Sequence, residues 1–140
     1  MQNIFALSAY ESSAEQFFQK LKEEKADLVL DVRLKNSNQL CGFTKARDLA
    51  YLIPAVTGAA YVHDLRFAPS AALLESYLKH QIGWEMYRAS YLSEMKRHRA
   101  MDAFRVSYDS YQSICILGTS TRKRRSHSDA LIDLITGREQ

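Results

Sequence analysis

Residues 27–32 read Asp-Leu-Val-Leu-Asp-Val, a mostly apolar run. A strand has this composition when both of its faces are covered, as in a parallel sheet with helices on either side. Short runs at 3–8, 60–65 and 113–117 are the other predicted strands. Helical patterns separate the four runs, and this alternation favours an open, mostly parallel α/β sheet of about four strands flanked by helices.

Local signals place the helices between these strands. Ser13 and Gln16 have the capping-box spacing that opens a helix. Thr44 is the expected cap of a second helix, which Pro54 and Gly58 end. The remaining predicted helices begin at Ser70, at Trp84 after the break at Gly83, and at Ser126.

The segment between the third and fourth strands is predicted to be a helical insertion. The helix over 84–98 is expected to turn Met86, Tyr87 and Met95 inward, whereas 100–110 has no clear pattern. The predicted organisation is one domain over 1–140, with its α/β core at 3–65 and 112–137 and the insertion at about 69–106.

Composition excludes several classes of protein. The 140 residues are 46% apolar and 25% charged, as in an ordinary globular domain. The apolar runs are shorter than the roughly 18–20 residues of a membrane span, and the first residues lack the basic start of a signal peptide. We therefore expect a cytoplasmic protein that does not contact a membrane. Cys41 and Cys115 have no metal-ligand spacing, and neither has an evident activating partner, so we predict free thiols and no metal site.

The formal net charge of +3 is concentrated near the end of the chain. Residues 1–110 contribute +1 and residues 111–140 contribute +2, and residues 122–125 are all basic. This run lies between the fourth predicted strand and the last predicted helix. Because ligands of open α/β sheets bind outside the carboxyl ends of the strands, this loop is the first candidate site.

The loop 118–129 has the features of an anion site. Its helix start offers backbone N–H groups and the positive end of the helix dipole, and Gly118 allows close approach. Arginine binds phosphate or carboxylate through two parallel hydrogen bonds. The candidate ligand-binding residues of the loop are Thr119, Ser120, Arg122, Arg125, Ser126 and His127.

A structural interpretation of the same loop stays open. In it Ser126 is an N-cap, Asp129 is a first-turn acid in a capping box, and the basic run is a solvated loop. This structural interpretation is favoured for Lys123 and Arg124. The ligand-binding and the structural interpretation are equally open for Arg122, Arg125 and His127.

Three polar residues follow or end the second and third predicted strands. Arg33 is a candidate anion ligand that Asp31 orients, and the alternative is a buried structural ion pair. His63 is suited to acid/base chemistry near neutral pH, although a packing role is favoured for a lone histidine in a strand.

Two further clusters have structural interpretations. Trp84, Tyr87 and Tyr91 have helical spacing and are predicted to be core or a lid rather than a base-stacking platform. The basic cluster at 96–99 is predicted to be a solvated helix end, where cations offset the helix dipole.

The order of these motifs resembles the domain of unknown function 488 family, or YeaO-like proteins, over about residues 3–135. The elements that carry the resemblance are Asp31-Val32-Arg33, the pair Phe43 and Lys45, Tyr61-Val62-His63, and a helix with Trp84 and Tyr91. The resemblance implies a small bacterial or archaeal α/β domain with a Rossmann-like sheet. It implies no particular reaction, cofactor or substrate.

The chain departs from this family pattern around the last strand. Much of the family has Cys and Glu where Gly118 and Ser120 stand here, and Cys-His-Arg where residues 126–128 read Ser-His-Ser. If family members use the thiols or the carboxylate for chemistry, this chain has lost that chemistry or replaced it with a basic, hydroxyl-rich loop. A binding protein is then the favoured interpretation.

Three hypotheses about function follow. The first is a protein that binds an anionic ligand, such as a nucleotide or phosphate ester, at the carboxyl edge of the sheet. The second is a nucleic-acid-binding module that uses 122–125, alone or together with the basic cluster at 96–99. The third is a small hydrolase or transferase with His63 or His127 as acid/base and Ser120 or Thr119 as a nucleophile or donor. The sequence leaves open the oligomeric state and whether the protein is an enzyme. The residues predicted to contact an anionic ligand are Asp31, Arg33, Thr119, Ser120, Arg122, Arg125, Ser126 and His127.

Overall fold

A four-stranded sheet forms the centre of the computed structural model. The structure describes residues 2–37 and 39–138, and for residues 39–41 it describes the backbone only. The strands lie in the order β1-β4-β2-β3, and each neighbouring pair is parallel. This confirms the predicted α/β sheet of about four strands. The strands are β1 (Asn3–Ser8), β2 (Leu28–Asp31), β3 (Ala60–His63) and β4 (Ser113–Gly118).

The two central strands explain the apolar run that opened the sequence. Every residue of β2 and of β4 is buried, whereas the residues of β3 at one edge are only partly buried. A strand that has neighbours on both sides and helices on both faces has no surface left for water. The centre of the sheet therefore requires apolar side chains on both faces.

Helices cover both faces of the sheet. On one face α1 (Ala14–Glu23) and α2 (Ala46–Thr57) pack Phe17 and Ile53 against Val29 and Leu117. The other face carries α4 (Trp84–Arg97), α5 (Ala100–Tyr108) and α6 (His127–Thr136). Successive strand residues point to opposite faces, so each central strand contributes to both apolar clusters.

Three helices connect β3 to β4, namely α3 (Ala71–Leu78), α4 and α5. The prediction that 100–110 lacks a regular pattern is wrong, because α5 buries Ala100, Phe104 and Tyr108. These residues recur at i, i+4 and i+8, which is one stripe of a helix. Met86 is also not inward as expected, since 60% of its surface is exposed, whereas Tyr87 is fully buried.

Helix α2 ends at Gly58 as predicted, but its start and the position of Pro54 differ from the sequence prediction. Its N-cap is Lys45, without a side-chain cap, while Thr44 belongs to the preceding 3₁₀ turn. Pro54 lies inside the helix and does not end it. The missing N–H of a proline removes one helical hydrogen bond, but the packing of the apolar face continues the helix to the left-handed Gly58, with φ 77°.

The connections determine where a ligand site forms. The helices that follow β1 and β2 lie on one face, whereas α6, which follows β4, lies on the other. Neighbouring strands whose chains depart to opposite faces leave a crevice at their carboxyl ends. Among the described residues, no helix combines the length and apolar character that crossing a membrane requires.

Candidate functional site

A crevice of about 240 Å³ lies at the carboxyl ends of the strands. Segments that follow β1, β2 and β4 meet there with α3 and the start of α6, as expected for the point where the connections change face. The lining residues include three basic side chains, a histidine and no carboxylate. They are Tyr10, Arg33, Leu34, Lys35, Leu74, Leu78, Thr119, Arg124 and His127.

His127 is the most unusual side chain of the crevice, because it is buried and only half paired. Its Nε2 lies 2.6 Å from the carbonyl oxygen of Val32, while its Nδ1 has no hydrogen-bond partner. Burial lowers the pKa of His127 to about 4, against the opposing effect of the Val32 carbonyl and nearby carboxylates. The ring is therefore neutral at pH 7, Nε2–H donates to Val32, and the Nδ1 lone pair is an unused acceptor.

Asp31 and Arg33 form a buried, bidentate ion pair. The Arg33 Nε and Nη2 atoms lie 2.9 Å and 2.8 Å from the two Asp31 carboxylate oxygens, and Nη2 also donates to the carbonyl of Thr44 at 2.6 Å. Tyr61 and Asn36 donate to the same carboxylate. Burial by itself would raise the pKa of Asp31, but the hydrogen bonds and charge of Arg33 outweigh it and hold the pKa below its usual value.

This geometry gives Arg33 a structural role. Its charge is neutralised by Asp31, and its donors hold the segment after β2 to the 3₁₀ turn at Thr44. The alternative interpretation of a structural ion pair therefore describes the contacts that Arg33 makes here. A direct contact between Arg33 and an anion stays a prediction.

His63 also holds the segment after β2. Its Nε2 lies 2.7 Å from the carbonyl oxygen of Arg33. His127 contacts the carbonyl oxygen of the preceding residue, Val32. The register of β2 with β3 places His63 opposite Asp31. Two histidines from different elements thus bind consecutive carbonyls and fix the backbone that carries Arg33 into the crevice.

The polar groups at the start of α6 bond mainly to one another. Ser126 Oγ accepts from the N–H of Ser128 at 3.3 Å, and Asp129 Oδ2 accepts from Ser126 N–H at 3.2 Å and from Ser120 Oγ at 2.8 Å. The predicted N-cap and capping box are confirmed. Gly118 permits a close approach as expected, but the group that approaches it is the Ser128 side chain.

The basic run 122–125 divides into different environments. Arg122 has an exposed side chain, and its backbone N–H donates to Glu11 at 2.6 Å. The Arg125 guanidinium lies 4.6 Å from the centre of the Trp84 ring. From this run only Arg124 lines the crevice, beside the predicted ligand residue Thr119.

Sequence reasoning missed Lys35 and Arg124 as crevice residues. Lys35 follows β2 by four residues and so lies at the carboxyl end of a central strand, where open α/β sheets bind ligands; its position in the sequence was therefore an available signal. Arg124 had no such signal, because only the turn formed by Thr121 and Arg124 decides which side chain of the run faces the crevice.

The remaining candidates for chemistry are not in the crevice. Cys115 is fully buried in β4, and burial raises the pKa of its thiol, which keeps it protonated. Cys41 lies outside the residues whose side chains are described. Across the described residues, no cluster of three or more histidine, cysteine and acidic side chains is arranged to hold a metal ion.

A family model described as "Domain of unknown function DUF488" matches residues 13–135. The chain belongs to the DUF488 family. No curated protein and no solved structure matches this DUF488 chain. The family resemblance drawn from the strand and helix motifs is confirmed, and the Asp31-Val32-Arg33 element that carried it is the buried ion pair beside the crevice.

Proposed function

We propose that this DUF488 domain binds a small anionic ligand, of the phosphate or phosphate-ester type, in the crevice at the carboxyl edge of the sheet. The observation that carries the proposal is the pairing of two cations with a buried acceptor in one crevice. Lys35 and Arg124 supply the cations, and the third residue is His127, which lines the crevice and has a buried Nδ1 without a partner.

The charges of the crevice favour an anion. Asp31 neutralises Arg33, but within the described chain neither Lys35 nor Arg124 makes a side-chain hydrogen bond or ion pair. Both side chains are exposed and therefore reach a ligand without first breaking a contact. Hydrogen bonds between such cations and phosphate oxygens are roughly twice as strong as neutral ones.

His127 selects among anions. A neutral imidazole whose Nε2–H is already used offers only a lone pair, so its ligand partner must be a donor. A hydroxyl group of a phosphate ester, or a phosphate that keeps one proton, supplies such a donor beside its anionic oxygens. A buried acceptor without a partner costs about 1–3 kcal/mol, and a ligand donor that reaches it recovers part of this cost.

The test is a calorimetric titration with inorganic phosphate and glycerol phosphate. We expect binding in the wild type and a loss of about tenfold in affinity in Lys35→Gln and in Arg124→Gln, equivalent to one charge-assisted hydrogen bond. Arg122→Gln is the matched control, since it removes an exposed arginine of the same loop that does not line the crevice. No binding at millimolar ligand, or an equal loss in the control, overturns the proposal.

The nucleic-acid hypothesis predicts a different result. Its two basic clusters lie near opposite ends of the 14-residue helix α4, because Arg125 contacts Trp84 at the start and Lys96 and Arg97 end it. A 14-residue helix is about 20 Å long, so a nucleic acid must span that distance to use both. Oligonucleotide binding that weakens steeply with salt and requires both clusters would favour this hypothesis.

In the hydrolase hypothesis the candidate nucleophile Ser120 is not hydrogen-bonded to either candidate histidine. The Ser120 hydroxyl donates to Asp129, and Nε2 of His63 and of His127 bonds to a backbone carbonyl. An activity in a phosphatase and esterase screen that disappears in His127→Ala would favour it over binding alone.

A further inference from the structure

A second, larger cavity of about 470 Å³ adjoins the crevice. The two share Arg124, and both are lined by α3, which contributes Leu74 and Leu78 to the crevice and Tyr77 to the cavity. The cavity combines an aromatic ring, cations and groups that form hydrogen bonds. The residues that give it this character are Tyr77, His80, Gln81, Trp84, Lys123 and Arg124.

Trp84 is held in place by the groups around it. The Arg125 guanidinium lies 4.6 Å from its ring centre, and the rings of Tyr77 and Tyr87 lie 6.2 Å and 6.0 Å away. Those two tyrosines stack on each other at 4.1 Å, and the Tyr77 hydroxyl donates to the carbonyl of Arg125 at 2.8 Å. The indole is therefore positioned before any ligand arrives.

The structure separates the aromatic residues that the sequence grouped together. Tyr87 and Tyr91 are fully buried, as predicted for core residues. Trp84 is only partly buried and lines the cavity, so part of its surface is available to a ligand. Trp84 also packs against the core cluster that contains Tyr91, so it agrees in part with the expectation of a core residue.

We propose that the ligand is a nucleotide, whose base packs against Trp84 in the cavity while its phosphate lies in the crevice. This inference rests on the proposed anion site and names its substrate class. Arg124 lies at the junction and contacts the phosphate. A small phosphate ester would fill the crevice and leave the aromatic cavity empty, whereas a nucleotide uses both.

The chemistry of the cavity matches a nucleobase. Stacking of a base on an aromatic side chain contributes roughly 1–3 kcal/mol and does not depend on which base is present. His80 and Gln81 offer donors and acceptors for the edge of the base. A volume of about 470 Å³ falls within the size range of small-molecule sites.

Trp84 provides a direct test, because it is the only tryptophan of the chain. Adenosine, guanosine, cytidine and uridine monophosphates are titrated against the protein while tryptophan fluorescence is followed, and calorimetry gives their affinities beside that of inorganic phosphate. We expect at least one nucleotide to quench the fluorescence and to bind about tenfold more tightly than phosphate.

Two variants complete the experiment. Trp84→Leu should reduce nucleotide affinity to that of phosphate and leave phosphate affinity within about twofold. Met86→Leu is the matched control, since Met86 is exposed on the same helix and does not line the cavity. If Trp84→Leu does not fold, the test uses the backbone amide chemical shifts of His80 and Gln81 in the wild type. Addition of the nucleotide should change these shifts, and no change would overturn the inference.

The outcomes separate this inference from the proposed function. If phosphate binds and no nucleotide binds more tightly, the nucleotide inference fails and the anion site stands. If neither binds, both fail. If only oligonucleotides bind, the nucleotide inference also fails and the nucleic-acid hypothesis is favoured.

Discussion

His127 should make the protein lose stability between pH 7 and pH 5. The pKa of its imidazole is 6.5 in an unfolded chain and about 4 in the folded protein, because burial disfavours the charged ring. Between these values the unfolded state binds more protons than the folded state. The contribution of His127 to the free energy of unfolding is therefore fully present above the unfolded pKa of 6.5. It declines as the pH falls through 6.5 and is fully lost below pH 4.

The size of the effect follows from the two pKa values. Their separation corresponds to a total of about 3 kcal/mol, of which about 2 kcal/mol is lost between pH 7 and pH 5. In a urea denaturation this shifts the midpoint by about 1 M. Asp31 and Asp64 have lowered pKa values, so their contributions are lost only at more acidic pH and do not enter this window.

The assay compares urea denaturation at pH 7 and pH 5 for three proteins. His127→Gln keeps an amide donor within reach of the Val32 carbonyl but cannot take up a proton, so its loss should be smaller by about 2 kcal/mol. His98→Gln, at an exposed position, is the matched control and should behave like the wild type. Equal losses in all three proteins would refute the reasoning. If His127→Gln does not fold, the ¹⁵N shifts of the His127 ring should show it neutral at pH 5.

Two further substitutions test the packing around the crevice. Gly118→Ala should destabilise the protein by about 1–3 kcal/mol in urea denaturation, because the new Cβ overlaps the Ser128 side chain, and a loss below about 0.5 kcal/mol would contradict the reasoning. Arg33→Met should lower the free energy of unfolding in urea denaturation by about 3–5 kcal/mol, because it leaves the Asp31 carboxylate buried without its counter-charge. A loss below about 1 kcal/mol would argue against a tight ion pair.

The sheet could be predicted from the sequence because its signals are local. The apolar run at 27–32 is continuous, since β2 is covered on both faces, and the capping boxes at Ser13 and Ser126 depend on residues three positions apart. The helical pattern of α5 is obscured because Met101, Ala103 and Val106 are apolar residues that lie outside the buried stripe, with Val106 exposed. The local preference of Pro54 opposes helix and predicts a helix end, but tertiary packing overrides that preference.

The site was predictable only in part. The loops at the carboxyl ends follow from strand direction, and the crevice lies among these loops. Which side chain of 122–125 enters the crevice depends on the turn between Thr121 and Arg124. The hydrogen-bond partners of Arg33 are Asp31, two residues before it, and Thr44, which lies in a separate segment. The lack of a hydrogen-bond partner at Nδ1 of His127 depends on burial and on contacts with residues distant in the sequence, which the spacing of residues along the chain does not encode.

The central claim, that the crevice binds an anion, is tested most directly by ¹H–¹⁵N spectra recorded during a titration with inorganic phosphate. We predict saturable shifts that are concentrated at Lys35, Thr119, Arg124 and His127, with the control segment 96–99 unchanged. Saturable shifts at 96–99 without shifts in the crevice, or no shifts at tens of millimolar phosphate, would contradict the account.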